Sequence, residues 1–131
     1  MTTGRRSVYS GTPWETQVAY CRATRVGDFI AVSGTVAADE HGRAVAPGDT
    51  YAQTRFALLR IERALGELGA RLEHVVRTRT FLTDLNSFDE FARAHREAFA
   101  GIDPAATAVE VVRLVSPEFV VEIEADAIVI D

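Results

Sequence analysis

The sequence is poor in several residues on which whole classes of chemistry depend. It has one cysteine, Cys21, so no internal disulfide can form, and the lone thiol fits a reducing, cytoplasmic setting. Its three histidines, His41, His74 and His95, are scattered, with no metal-ligand spacing and no cysteine partners, so no metal site is expected. Lysine is missing altogether, and a set of basic residues made only of arginine points to a GC-rich, bacterial genome. The net charge of −5 excludes a general nucleic-acid binder, because phosphate contacts need clustered cations. No apolar run approaches the roughly 20 residues of a membrane span. The opening Met1–Arg6 has no apolar stretch behind its arginines and is not expected to be a secretory signal. No glycine-rich phosphate loop follows a strand, so no nucleotide and no other cofactor is expected.

What remains is an ordinary globular composition, 47 % hydrophobic, over 131 residues, which predicts a single domain spanning 1–131. Arg6 to Tyr9 reads as a short edge strand, followed by a loop through Ser10–Trp14. Trp14, the only tryptophan, either packs under that loop or at a subunit contact, or lines a ligand pocket. Cys21–Val26 and Phe29–Ser33 read as strands joined by the two-residue turn Gly27–Asp28. Gly34, which follows Ser33, permits close approach of a backbone or a ligand.

A first helix is predicted to start near Gly48-Asp49-Thr50 and to run to about Leu68. Leu58, Ile61, Leu65 and Leu68 share its buried stripe and Gly69 stops it. Arg55, Arg60, Glu62, Arg63 and Glu67 are expected to form its solvated side. A strand from His74 to Leu82 should place Val76, Thr78, Thr80 and Leu82 on one face and Val75, Arg77, Arg79 and Phe81 on the other. The second helix begins at Ser87-Phe88-Asp89-Glu90, a capping-box pattern, and carries the stripe Phe88, Phe91, Ala92, His95 and Phe99. His95 on that stripe is expected to be a hydrogen-bonded core residue.

The C-terminal third holds two more strands, Ala105–Leu114 and Phe119 onward, broken at Ser116–Pro117. In the second, Glu122, Glu124 and Asp126 alternate with Val121, Ile123, Ala125 and Ala127. Alternate residues on a strand lie roughly 7 Å apart, so one face carries a row of carboxylates. The row is either a solvated outer face or a site where a shared environment raises one pKa enough for proton transfer. The order β-β-β-α-β-α-β-β predicts an α+β domain, one mixed sheet with both helices on one face. A partner subunit would cover the other face.

The stretches Val109–Leu114 and Val121–Ala125, with Tyr20, Val32-Ser33-Gly34 and Val76-Arg77-Thr78 through Asn86 upstream, closely resemble the signature of the Rid (YjgF-like, reactive-intermediate deaminase) family. The resemblance implies a chorismate-mutase-like fold and a homotrimer with small-molecule pockets between subunits. It also implies hydrolysis of an imine or enamine to a keto acid and ammonia. Carried over position by position, the pocket tyrosine matches Tyr20, the Ser-Gly pair matches Ser33 and Gly34, and the water-handling glutamate matches Glu122. Thr107 joins the pocket lining. The substrate-clamping arginine falls at Ala106, the cysteine two positions later at Ala108, and the helical asparagine at Ala92.

The function expected is therefore acid–base chemistry on a small carboxylate, imine or enamine other than the usual one, with hydrolytic deamination as the reaction type. The alternatives are a non-catalytic ligand-binding or regulatory trimer, and a specialised biosynthetic enzyme on the same scaffold. Arg79, with His95, is the candidate replacement for the missing clamp. Otherwise Arg79 pairs with Glu122 or Glu124 and holds the sheet.

Overall fold

The last strand in the sequence occupies the middle of the sheet. A computed structural model describes residues 4–130, so the first three residues of the Met1–Arg6 stretch lie outside the described residues. The elements are β1 (Arg5–Val8), α1 (Pro13–Val18), β2 (Ala23–Val26), β3 (Phe29–Val36), α2 (Thr50–Glu67), β4 (Val75–Leu82), α3 (Phe88–Phe99), β5 (Ala105–Glu110) and β6 (Val121–Ile128). One-turn 3₁₀ helices precede β4 and α3. The six strands form one sheet in the order β1-β2-β3-β6-β4-β5. Every pairing is antiparallel except β4 with β5, which is parallel and needs α3 as its crossover. The fold is α+β with one mixed sheet, as the order of elements predicts.

Helices α2 and α3 pack against each other, and α2 packs on β3 and β6. Ile30, Ile61, Leu65, Leu82, Val121 and Ile123 fill the layer between. The α2 stripe Leu58, Ile61, Leu65 and Leu68 is buried as expected. Its N-terminus is capped by Asp49, which accepts from the Ala52 N–H at 2.9 Å. Gly69, at φ +81°, ends it in the left-handed conformation that glycine adopts without strain.

Four local expectations are corrected. The Ser10–Trp14 loop turns into the short helix α1, with Pro13 in its first turn. A β-bulge in β4 leaves Val76 unmatched between the Val75–Ala127 and Arg77–Asp126 pairs. The bulge turns Val75 inward beside Thr78, Thr80 and Leu82, and leaves Val76 44 % exposed. The capping box at Ser87 does not form, because Ser87 Oγ donates to the Asp84 carbonyl instead. In α3, Ala94 rather than Ala92 or Phe88 joins Phe91 and Phe99 in the core.

One buried residue fixes the approach to β6. Gln53 is fully buried, and its amide nitrogen donates to the carbonyls of Val45 (3.1 Å), Ala46 (3.1 Å) and Glu118 (2.8 Å). Its oxygen accepts from the Val120 N–H at 2.9 Å. A side chain on α2 thus ties down two loops, one of them leading directly into β6.

The outer face of the sheet carries Glu122, Glu124 and Asp126, all half-buried, in alternation with the buried Val121, Ile123, Ala125 and Ala127. Arg79 lies among them, and the exposed Phe29, Val109 and Ile128 share the sheet's surface. No helix is long and apolar enough to cross a membrane among the described residues.

Candidate functional site

Strand β3 carries one residue more than β6 between the Val32–Ala125 and Thr35–Ile123 pairs, so it bulges at Ser33–Gly34. Beyond the bulge, Glu122 stands between Val36 on one side and Phe81 on the other. Its carboxylate rests on Gly34, where a Cβ would come within 2.0 Å of Oε2. Glycine is the residue that leaves room for the acid. Burial pushes the Glu122 carboxyl above its ordinary value. The nearby Arg22 charge opposes that shift and the Glu124 charge adds to it.

Two arginines share the surroundings of this acid. Arg22, 5 % exposed, donates from Nη1 to the Gly34 carbonyl at 3.0 Å and to Thr35 Oγ1 at 2.9 Å. Its Nε has no hydrogen-bond partner among the described residues. The nearest carboxylate is that of Glu15, at 3.8 Å. Arg60 reaches down from α2 and donates from Nη1 to the Val36 carbonyl at 2.7 Å. Burial, helped by the Arg22 charge, pushes its pKa down to about 10, so it remains a cation at neutral pH. The Arg22 guanidinium lies 5.7 Å from the centre of the Tyr20 ring.

Glu15 is held firmly. It accepts from the backbone N–H groups of Ser10 and Gly11 and from the Ser10 hydroxyl. Burial alone would raise its pKa, but the Ser10 and Gly11 bonds and the Arg22 charge outweigh that and lower it. These loop bonds hold the start of α1 and therefore place Trp14, whose ring packs edge-on against Phe119 at 6.3 Å.

Trp14, Tyr20, Gly34 and Glu122 line one cavity of about 240 Å³, together with Arg22 and Arg60. Thr12, Val36, Val18 and Val115 complete it, and the last two are 68 % and 60 % exposed. Four of the residues singled out in the sequence are thus brought together. Ser33 lies in the adjoining cleft with Tyr20 and Cys21, its hydroxyl donating to the Cys21 carbonyl at 2.7 Å.

The structure does not bring the other three to this cavity within one chain. Arg79 is on the outer face, 3.4 Å from both Glu124 Oε1 and Asp126 Oδ2. His95 is on the helix side, 2.9 Å from Thr78 Oγ1 and between the rings of Phe91 and Phe99. Burial pushes its pKa down, which favours the neutral ring. Thr107 stands on the exposed edge strand β5 and lines a second depression with His95. Ala92, Ala106 and Ala108 line that same depression. Among the described residues no group of acids, histidines or cysteines is arranged to hold a metal ion.

Arg22 and Arg60 are the site residues that sequence reasoning misses. Arg60 follows the period of a solvated helix side, yet it is half-buried and bonded to β3. Arg22 stands next to the turn into β2 and carries no periodic signal of burial.

Residues 12–129 match the family model described as Endoribonuclease L-PSP. The crystal structure of a Mycobacterium tuberculosis protein, described as a member of the YjgF/YER057c/UK114 family, superposes with a TM-score of 0.86 at 45 % identity. The match covers 95 % of this chain and 99 % of that one. A RutC family protein of Pyrococcus abyssi is 37 % identical over 82 % of this chain and 84 % of its own length. The 3-aminoacrylate deaminase RutC of Acinetobacter baylyi is 34 % identical over 79 % of this chain and 82 % of its own length.

Proposed function

From its place in the Endoribonuclease L-PSP family, the YjgF/Rid family to which this chain belongs, we propose that the protein releases ammonia hydrolytically from a small enamine or imine. The observation that carries this reading is the Glu122 carboxyl, half-buried on Gly34 and raised in pKa inside a cavity. A carboxyl that stays protonated above its ordinary range is suited to give a proton and then take one back.

Glu122 first donates its proton to the enamine carbon, and the C=C–N unit becomes an iminium. Water then adds to the C=N carbon while the Glu122 carboxylate takes a proton from it. The resulting carbinolamine receives that proton on nitrogen. Its C–N bond breaks and ammonia leaves, while the hydroxyl gives its proton to the Glu122 carboxylate, so that its oxygen becomes the new carbonyl and the acid is restored. No electrons are transferred to or from the substrate, so the reaction needs no redox cofactor. The kinship with a 3-aminoacrylate deaminase supports this reaction class. A ribonuclease reading finds no support in a net charge of −5 and an outer sheet face lined with carboxylates.

The same reading makes the active form a cytoplasmic homotrimer. Val18 and Val115 expose most of their surface at the mouth of the cavity, and β5 leaves one edge unpaired. A neighbouring subunit would cover both. The test is an ammonia-release assay over a panel of enamines and imines freshly generated from amino acids. Release above the spontaneous rate, abolished in Glu122→Gln, is the expected result. Its absence across the panel would favour the non-catalytic ligand-binding trimer.

A further inference from the structure

We propose that Arg22 and Arg60 together form the anion-binding half of the Glu122 cavity and hold the carboxylate of the substrate there, in place of the arginine missing at Ala106. The proposal deepens the deaminase reading. It rests on that reading in one respect, that the bound anion is part of the molecule being deaminated.

The first support is geometric. Both guanidiniums line the cavity that contains Glu122, Arg22 from just before β2 and Arg60 from α2. Each is anchored by Nη1 alone, Arg22 to the Gly34 carbonyl and Thr35 hydroxyl, Arg60 to the Val36 carbonyl. A guanidinium has five N–H donors, so both keep unused ones. Arg22 is nearly inaccessible to solvent, yet its Nε has no hydrogen-bond partner among the described residues. A buried charged donor left unbonded calls for an acceptor.

The second support is charge. Two cations line this cavity, and the acid nearest Arg22, Glu15 at 3.8 Å, stands outside that lining with its oxygens already taken up by Ser10 and Gly11. Glu122 is the other acid, and burial favours its neutral form. Even with Glu122 ionised, the lining carries two cations to one acid, a surplus that suits one monoanion. Arg79 offers no such surplus, because two carboxylates already flank it. The depression around Ala106 holds Arg96 and Asp103, which carry opposite charges.

The third support is placement. Lining one cavity of about 240 Å³ with the acid, the two cations would hold a short molecule by its carboxylate and leave its C=C–N unit within reach of Glu122. The substrate class that fits is a small α- or β-enamine, or imine, of a monocarboxylic acid. A planar carboxylate meets a guanidinium fork best, which favours arginine over lysine here.

Trp14 lines this cavity and is the only tryptophan, so its fluorescence reports occupancy. Crotonate should titrate this signal to saturation. Crotonamide, with the same shape and no charge, should bind roughly 10- to 100-fold more weakly, the size of a lost charged hydrogen bond. Arg60→Met should weaken crotonate by a similar factor, leave crotonamide unchanged and keep the melting temperature close to that of wild type. Arg22→Gln keeps a donor for Gly34 and removes the charge. If that variant does not fold, Arg60→Met still decides.

Equal affinity for the acid and the amide, or unchanged crotonate binding in Arg60→Met, would overturn the proposal. Either result alongside measured ammonia release leaves the deaminase reading standing without this anion site. Arginine-dependent crotonate binding with no ammonia release from any substrate removes the deaminase reading and keeps the site.

Discussion

The backbone of Gly34 lies so close beneath the Glu122 carboxylate that a methyl group on it would stand 2.0 Å from Oε2 and 3.0 Å from Cδ. The obstructing atoms belong to the end of a flexible side chain, so in Gly34→Ala the carboxylate swings aside and the strand keeps its course. Melting should shift by only a few degrees. Turnover should fall roughly 100-fold, as expected when a reacting group is misplaced by about 1 Å. A variant that melts far below wild type would show that the bulge itself needs glycine.

Glu122→Gln keeps the shape and removes the proton. Turnover should drop roughly 10²–10⁴-fold with the fold intact. The variant also reports the pH dependence of stability. The folded pKa of Glu122 lies above its ordinary 4.5, so between those two values the native protein holds a proton that the unfolded chain has lost. Its contribution to stability is complete below 4.5 and is lost as pH rises through the folded value. Calorimetry across that window should show wild type losing ground to Glu122→Gln as pH rises. In the same window kcat/KM of wild type should fall as the acid form disappears. Parallel melting curves would leave Glu122 with an ordinary pKa.

Arg79 lies 3.4 Å from two carboxylates, and its side chain is 44 % exposed. Solvent screens such pairs, so Arg79→Met should cost less than about 1 kcal/mol in urea denaturation. It should also leave crotonate binding unchanged. Loss of crotonate binding without loss of stability would instead give Arg79 the clamping role.

Gln53→Leu tests how the loops are held. It removes the donor shared by the carbonyls of Val45, Ala46 and Glu118 and the acceptor of the Val120 N–H, while Ala46 and Glu118 still accept from Asp49 and Gly48. A destabilisation of about 1–3 kcal/mol is expected, because the part-buried Val120 N–H and Val45 carbonyl lose this partner. A loss under about 1 kcal/mol would mean that the two loops re-pair without it.

Static light scattering should return about three times the 14.3 kDa mass of one chain. A mass of 14.3 kDa in dilute solution would end the intersubunit reading.

The fold was legible in the sequence wherever period and punctuation agreed. Leu58, Ile61, Leu65 and Leu68 repeat at helical spacing and Gly69 stops them, so α2 could be read almost to the residue. The acids of β6 alternate strictly, and the strand shows that alternation in its burial. Reading by period failed at the bulges, because one extra residue reverses every later side chain. Nothing in Val75-Val76-Arg77 announces which valine turns inward. Nor does composition reveal that Ser33-Gly34 adds a residue to β3. Within the candidate site, Glu122, Gly34 and Tyr20 could be named from the family resemblance. Arg22 and Arg60 could not, since their burial depends on where α2 crosses the end of β3, a tertiary relation that no local pattern encodes.

Strand β6 joins β1-β2-β3 to β4-β5, and it is the last of the six to leave the ribosome. Until it does, β3 and β4 have no strand to pair with along the edges that β6 fills in the finished sheet. The final register is therefore set in one late, long-range step, which makes folding slower than the chain's length suggests. It also makes the cavity the last thing assembled, since Glu122 is the second residue of the closing strand. A chain ending before Val121 would lack both the acid and the strand that makes the sheet continuous.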